Sequence, residues 1–476
     1  MRKELASLLS EIGRRVIPTP AERRRMEELS SALLERTQKT VETARLDGIA
    51  SLQGSMAKDT WLHGQADLDV FVQFPPSVER SEWTDRVLPL LRKEFNDYQV
   101  IERYAEHPFL ELITIDNVRV NVVPCYRVEK GKWLSATDRT PYHKEYMNSK
   151  LTEETRLQAR LLKRFCMGID VYGAEIKVGG FSGMLAETLA LYYKSFPKLL
   201  VSAGQWKTSS VIDIEGVYEG RLGEARKKFQ DNPLVVVDPV DPERNLAAAL
   251  RSERLWSFVA ASRELLERPG KQFFYPGPFR PRTTADIRRK MRLSGADILA
   301  VSFQHQEMVP DILWGQLYRL EGALTELLER NEFQVVRSKV WSDEEKRSAV
   351  LFELHEASLP PMVVRQGPPV ERLTESRSFI VKHATAKDTV RGPWIEGERW
   401  MVEKRREFRS ADDFLRTVVG ARKMNISLPS HLEPGLSNRA RYLLNEKIVQ
   451  LVGTDRGFRE AFWTFIEGKP RWLKAS

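Results

Sequence analysis

The chain has 476 residues, enough for two to four domains with substantial cores. Apolar residues make up 42%, no stretch is long enough for a membrane span, and the charged amphipathic N-terminus MRKELASLLSEIGRRV lacks a signal peptide's apolar core. The only cysteines, Cys125 and Cys166, argue against a disulfide scaffold or a cysteine-rich zinc site and fit the cytoplasm, while a net charge of +9 favours a polyanionic partner.

In chain order, residues 3–17 and 21–45 read as helices separated by Pro18-Thr19-Pro20. Thr19 serves as N-cap of the second, with Pro20 at its first helical position. Leu29, Leu33, Leu34 and Val41 give that helix an apolar stripe. Then comes GSMAKDTWLHGQADLDVFVQFP, residues 54–75. Gly54-Ser55 lets the backbone turn tightly and offer N–H groups to an anion. Residues 67–72 read as a strand, which puts Asp67 and Asp69 on one face. Adjacent carboxylates repel unless a cation sits between them, so the pattern suggests a Mg²⁺–triphosphate site. The plainer alternative is an N-cap Asp and a surface Asp.

This stretch resembles the signature of the DNA polymerase β-like nucleotidyltransferases. More narrowly, GSxAKxTWL…DLDVFVxFP is similar to the archaeal, class I CCA-adding enzymes, the tRNA nucleotidyltransferases. The resemblance implies an α+β fold: a polymerase β-like head with a mixed sheet over residues 1–150, a helical neck that also binds nucleotide over 151–258, and an α+β body and tail over 259–476 that bind the tRNA acceptor arm and 3′ end. It implies that Asp67 and Asp69 hold Mg²⁺, and that Gly54, Ser55 and Lys58 bind the triphosphate.

Residues 81–95 look helical, with Pro89 inside. Residues 98–104 and 109–115 read as strands, Asp116-Asn117 as a two-residue hairpin turn, and 118–123 as the return strand. The family's return strand reads V-D-V-V-P-C-Y; here Asn121 stands at the third acid position. A two-residue turn pairs Ile115 with Val118 and Leu112 with Asn121, so Glu111 is expected to face away from Asn121. An Asn carbonyl can ligate a hard cation but brings no charge. The expectation is weakened binding of the metal that activates the attacking hydroxyl, hence an impaired enzyme.

The segment SATDRTPYH resembles a family motif, which implies that Thr140 and His143 contact the nucleotide. A helix begins at Thr152, with Leu157, Leu161, Leu162 and Phe165 as its buried face and Lys163 and Arg164 largely off that stripe. With YGAE and GGFSG, the family match implies that Lys163 and Tyr172 contact the phosphates; a solvated Lys and a core Tyr are the alternative. Residues 234–237 read as a buried strand leading into DPVDPERN. There the resemblance implies that Arg244 helps select the base, and pairing of Arg244 with Asp238 or Asp241 is equally open.

Beyond this point chemical motifs cease. Residues 279–292 form a basic run with Arg280, Arg282, Arg288, Arg289, Lys290 and Arg292. Strand, helix, strand and strand follow at 298–303, 309–328, 333–341 and 349–354. A second basic run holds Lys404, Arg405, Arg406 and Arg409, and 439–452 reads as helix. Recurring basic runs suit a phosphate-backbone surface. The function implied is template-independent addition of CCA to tRNA from CTP and ATP. The alternatives are an inactive tRNA-end binder and a poly(A) polymerase-like enzyme. A homodimer is one option the sequence leaves open.

Overall fold

The computed structural model of the protein describes residues 2–104, 108–208, 210–278, 282–420 and 428–473. The chain divides into two compact units, residues 1–278 with 470–476, and residues 279–469.

The first unit opens with helices Arg2–Val16 and Pro20–Thr43. Thr19 and Glu22 form a reciprocal capping box on the second helix, and Pro20 sits in its first turn, where its missing N–H leaves no bond unmade. A five-stranded sheet follows, built from β1 (Ile49–Gln53), β2 (Asp67–Phe74), β3 (Gln99–Tyr104), β4 (Pro108–Ile113) and β5 (Arg119–Tyr126) in the order β1-β2-β5-β4-β3. Strands β2 and β5 are parallel and the other neighbours antiparallel, so the sheet is mixed. Along β2 the pleat sends Leu68, Val70, Val72 and Phe74 into a core. Met26, Leu33 and Val41 of the second helix, with Leu88, Leu91 and Phe95, close that core. Asp67 and Asp69 are thereby left on the opposite face.

The helix expected over 81–95 is in three pieces: Arg80–Glu82, a widened turn Trp83–Val87, and Leu88–Glu94. The Leu88 N–H donates to the Trp83 carbonyl five residues back. This wide turn accommodates Pro89, whose ring would otherwise strike the preceding turn.

A second core in the same unit is helical. It joins Glu153–Gly168, Gly183–Tyr193, Phe196–Ala203 and Ser252–Glu267 to the N-terminal helix. Phe165 is its centre, with rings of Phe196, Phe258, Phe273 and Phe274 within 6.4 Å, in edge and tilted arrangements that aromatic quadrupoles favour. Short parallel strands β6 (Ser210–Ile212) and β7 (Leu234–Val236) lie beside it. The chain returns to this core after the second unit: Trp472 is buried and stacks on Phe273, and Arg471 pairs with Asp170 at 2.7 Å.

In the second unit β8 (Asp297–Gln304), β9 (Val335–Ser342), β10 (Arg347–Leu354) and β14 (Arg441–Leu444) form a sheet ordered β14-β8-β10-β9. Helix Pro310–Arg330 covers one face, and helices Thr284–Ser294 and Arg456–Glu467 the other. Strands β11 (Met362–Pro369), β12 (Thr389–Glu396) and β13 (Arg399–Arg405) form a smaller sheet beside helix Leu373–Ala384. The reading of 439–452 as one helix is corrected: Arg441–Leu444 is an edge strand on β8, followed by a 3₁₀ turn Asn445–Ile448 and the α-helix Val449–Thr454. Ladder pairing with β8 outweighs local helical preference here. Of the first basic run, Arg280 lies outside the described residues, and Arg288, Arg289 and Arg292 are exposed on their helix. Of the second run, Lys404 pairs with Asp388 and Arg406 with Glu332, both at 2.5 Å. Among the described residues no helix is long and apolar enough to cross a membrane.

Candidate active site

Gly54-Ser55 begins a single helical turn, Gly54–Ala57, after β1. Gly54 has φ +68°, and a Cβ there would lie 1.9 Å from Asp69 Oδ2. Only glycine lets the loop backbone press against the second acid in this way. Ser55, Asp67, Lys163 and Tyr172 all line one cavity of about 800 Å³, together with Arg119 and Glu175.

The two acids lie two positions apart along β2, on one face. Asp69 is opposite Gln53 on one side and Asn121 on the other, and Asp67 is beside Arg119. Asn121 Nδ2 donates to Asp69 Oδ1 at 3.0 Å. The Arg119 fork reaches Asp67 through Nε to Oδ1 at 3.2 Å and Nη2 to Oδ2 at 3.1 Å. Withdrawal from water pushes the Asp69 carboxyl above its ordinary range. The Asn121 amide pulls against this, Asp67 adds to the rise, and Lys58 opposes it.

The hairpin register differs from expectation. Thr114 N–H bonds Val118 O, and Asn117 adopts a left-handed conformation at φ +60°. The loop is therefore three residues, Ile115-Asp116-Asn117, with the positive φ at its last position. That single extra residue moves the pairing by one, and Glu111, not Leu112, stands opposite Asn121. Glu111 accepts from Arg103 Nη2 at 2.9 Å.

Lys163 is not off the buried stripe: its side chain is 2% exposed. It donates to Glu187 Oε1 at 2.7 Å, to the Thr60 carbonyl at 3.1 Å and to the Thr60 hydroxyl at 2.9 Å. Lys58 is also buried, with Nζ 2.5 Å from Glu187 Oε2. A long ammonium arm can enter this interior because the buried Glu187 carboxylate is waiting there.

His143 and Arg244 converge on Asp238. His143 Nε2 lies 2.9 Å from both Asp238 oxygens, and Arg244 Nη1 lies 3.7 Å from Oδ2. Burial opposes ionisation of Asp238, but His143, the Val240 N–H and Arg244 hold its carboxyl below the usual value. Arg244 remains 45% exposed, so its fork is available for a ligand as well. Thr140 opens the helix Thr140–Lys150 that carries His143. This helix borders the signature loop, since Asn148 Nδ2 donates to Ala57 O at 3.1 Å and Lys144 Nζ to Leu52 O at 3.4 Å. Among the described residues, Thr140, His143 and Arg244 do not wall the cavity holding Ser55 and Asp67.

Three family models match in succession: a nucleotidyltransferase domain over residues 34–145, the second domain of tRNA nucleotidyltransferase over 158–275, and the C-terminal domain of CCA-adding enzyme over 294–439. A CCA-adding enzyme of Methanothermobacter thermautotrophicus is 37% identical across 86% of this chain and 87% of its own length. Those of Methanopyrus kandleri and Halorubrum lacusprofundi are 34% and 35% identical, covering 98% and 92% of this chain and 98% and 94% of their own. This chain belongs to the CCA-adding enzymes.

Nucleotidyltransferases of this fold use divalent metal ions. The site of this CCA-adding chain fits such an ion at Asp67 and Asp69: two hard oxygen donors side by side, one of them withdrawn from water and lacking a full counter-charge. Among the described residues no group of three or more His, Cys, Asp or Glu side chains is placed to hold a metal. Asp67 and Asp69 with the Asn121 amide are the donors at the cavity end of this face, and the next carboxylate across the sheet, Glu111, is engaged by Arg103. Sequence reasoning missed Glu187 and the role of Arg119. The signal for Glu187 was a lone acid in the apolar helix GMLAETLALYY; for Arg119 it was its position two residues before Asn121, on the same strand face.

Proposed function

We propose that this member of the CCA-adding family transfers CMP and AMP from CTP and ATP to the 3′ end of tRNA in the cytoplasm, without a template. The observation that carries this reading is the Gly54 backbone pressed against Asp69 beside Asp67, at the edge of the cavity that Ser55 and Lys163 enter. Asp67 and Asp69 hold Mg²⁺, with the Asn121 carbonyl as a weak third donor. The ion supplies charge neutralisation at the triphosphate. Ser55 and the N–H groups of the Gly54 turn receive phosphate oxygens; Lys163 and Tyr172 line the same cavity, and Lys58 stands behind them on Glu187. Thr140, His143 and Arg244 orient the sugar and base, with Asp238 fixing His143. The tRNA 3′-hydroxyl attacks the α-phosphorus in line as the bond to pyrophosphate breaks, and positioning provides most of the rate. Residues 1–150 act as head, 151–258 as neck, and 259–476 as the body and tail that grip tRNA.

A second reading is favoured by Asn121 and Arg119: a tRNA-end binder with little chemistry, because each acid already has a protein donor on it. The test is incorporation of labelled CTP and ATP into tRNA lacking its CCA end. Ordered C, C, A addition supports the enzyme, binding without incorporation supports the second reading, and runs of A alone would overturn both.

A further inference from the structure

Glu187 is fully enclosed, at 0% exposure, between two lysines from different parts of the chain. Lys163 comes from helix Glu153–Gly168 and Lys58 from the turn after Gly54–Ala57. An ammonium has three donors. All three of Lys163 are taken, by Glu187 and by the two oxygens of Thr60, whose hydroxyl itself donates to Glu187. Lys163 is therefore fully satisfied at the wall of the cavity, with Lys58 leaning on the other oxygen of the same acid.

We propose that Glu187 is a positioning residue for the triphosphate: it keeps Lys58 and Lys163 charged and in place before nucleotide arrives, and shares them with the phosphates when it binds. This rests on the reading that the two lysines serve the triphosphate. Two ammoniums and one carboxylate leave one net positive charge, which draws an anion without leaving either lysine stranded. Burial is the strongest influence on Lys163 and pushes its pKa down, and Lys58 and Arg160 push the same way; Glu187 opposes them. Burial opposes the charge of Glu187 too, yet Lys163 and Lys58 bring its pKa to about 2. Also facing this cluster are the Tyr172 phenol, on which the Glu187 charge acts, Asp59, which pairs with Arg160 at 2.6 Å, and Asp69, on which Lys58 acts. Without Glu187, Lys163 would shed its proton and have to recover it to meet a phosphate.

The test is calorimetric titration of the full chain with a non-hydrolysable CTP analogue and Mg²⁺, in buffers of different protonation heat, between about pH 7.5 and 9. The wild type is expected to bind with almost no proton uptake. Glu187→Gln is expected to take up about one proton, with affinity falling about tenfold per pH unit toward the alkaline end. Lys163→Met combined with Glu187→Gln should abolish the uptake. A pH-independent loss of affinity in Glu187→Gln, or uptake that persists in the double variant, would overturn the proposal. If Glu187→Gln does not fold, Glu187→Met, of similar length and without the charge, carries the test, and absence of any uptake there counts against it. Lys58→Met, titrated alongside, reports on the underlying reading: unchanged affinity would remove Lys58 from the triphosphate site, while proton uptake in the Glu187 variants still reports on Glu187 and Lys163.

Discussion

Glu111 on β4 stands directly across from Asn121 on β5, and Asn121 in turn stands beside Asp69 on β2. The amide separates two carboxylates, and it donates to one of them. An aspartate at this position would place three acids in a row and take a donor away from Asp69. Asn121→Asp should therefore lower the metal-free melting temperature, by about 2–4 °C. Added Mg²⁺ should restore it. The same variant should raise the incorporation rate about 10- to 100-fold at saturating Mg²⁺, because the new carboxylate completes the metal site. Equal rates for the two chains in a single-turnover assay would dismiss the impairment of the native site.

Gly54→Ala should destabilise the chain and cripple the site together. Its Cβ would lie 1.9 Å from Asp69 Oδ2, at a backbone φ of +68°. The expected cost is about 1–3 kcal/mol in urea unfolding, from strain alone. Loss of CTP binding should exceed what partial unfolding explains, which fluorescence titration of the folded fraction would measure.

Glu22 gives a pH signature. Burial opposes its charge, but bonds from the Thr19 and Gly64 N–H groups and from His63 bring its pKa from 4.5 to about 2. A depressed acid stabilises the fold above its unfolded pKa and loses that effect as pH falls through the folded one. Wild type should therefore melt above Glu22→Gln near neutral pH, and the gap should close between about pH 4.5 and 2. A gap unchanged across a melting series in acid would refute this.

Asp238 is the buried acid that ties His143 to Arg244. Asp238→Ala should cost about 3–5 kcal/mol of stability, since it strands a buried His and removes the partner of an Arg. In the folded fraction KM for CTP and ATP should rise more than kcat falls, as expected for a residue that orients nucleotide contacts. A variant with wild-type KM for both nucleotides would detach this cluster from the nucleotide site.

The head was legible because its signals are local. Alternation along β2 announces which face Asp67 and Asp69 share, and Thr19-Pro20 with Glu22 announces a helix start. The hairpin register is not legible because Asp116-Asn117 fits a two-residue turn as well as it fits a three-residue loop with Asn117 left-handed at its end. Yet that residue decides what faces Asn121. Helical spacing puts Lys163 largely off the buried stripe, because spacing alone cannot show that a carboxylate on a neighbouring helix meets it. Arg441–Leu444 read as helix because its strand partner β8 is distant in sequence.

Trp472 and Arg471 complete a core that residues 1–278 begin, and the whole of residues 279–469 comes between. The second unit is thus an insertion whose two ends are both secured in the first. While it is unfolded it behaves as one long loop, and closing that loop costs little more than closing a shorter one, about 0.6 kcal/mol per doubling. During synthesis, though, the ring of Phe273 waits for Trp472 until the entire insertion has been made, so the helical core gains this aromatic partner only after residue 472 has been synthesised and released.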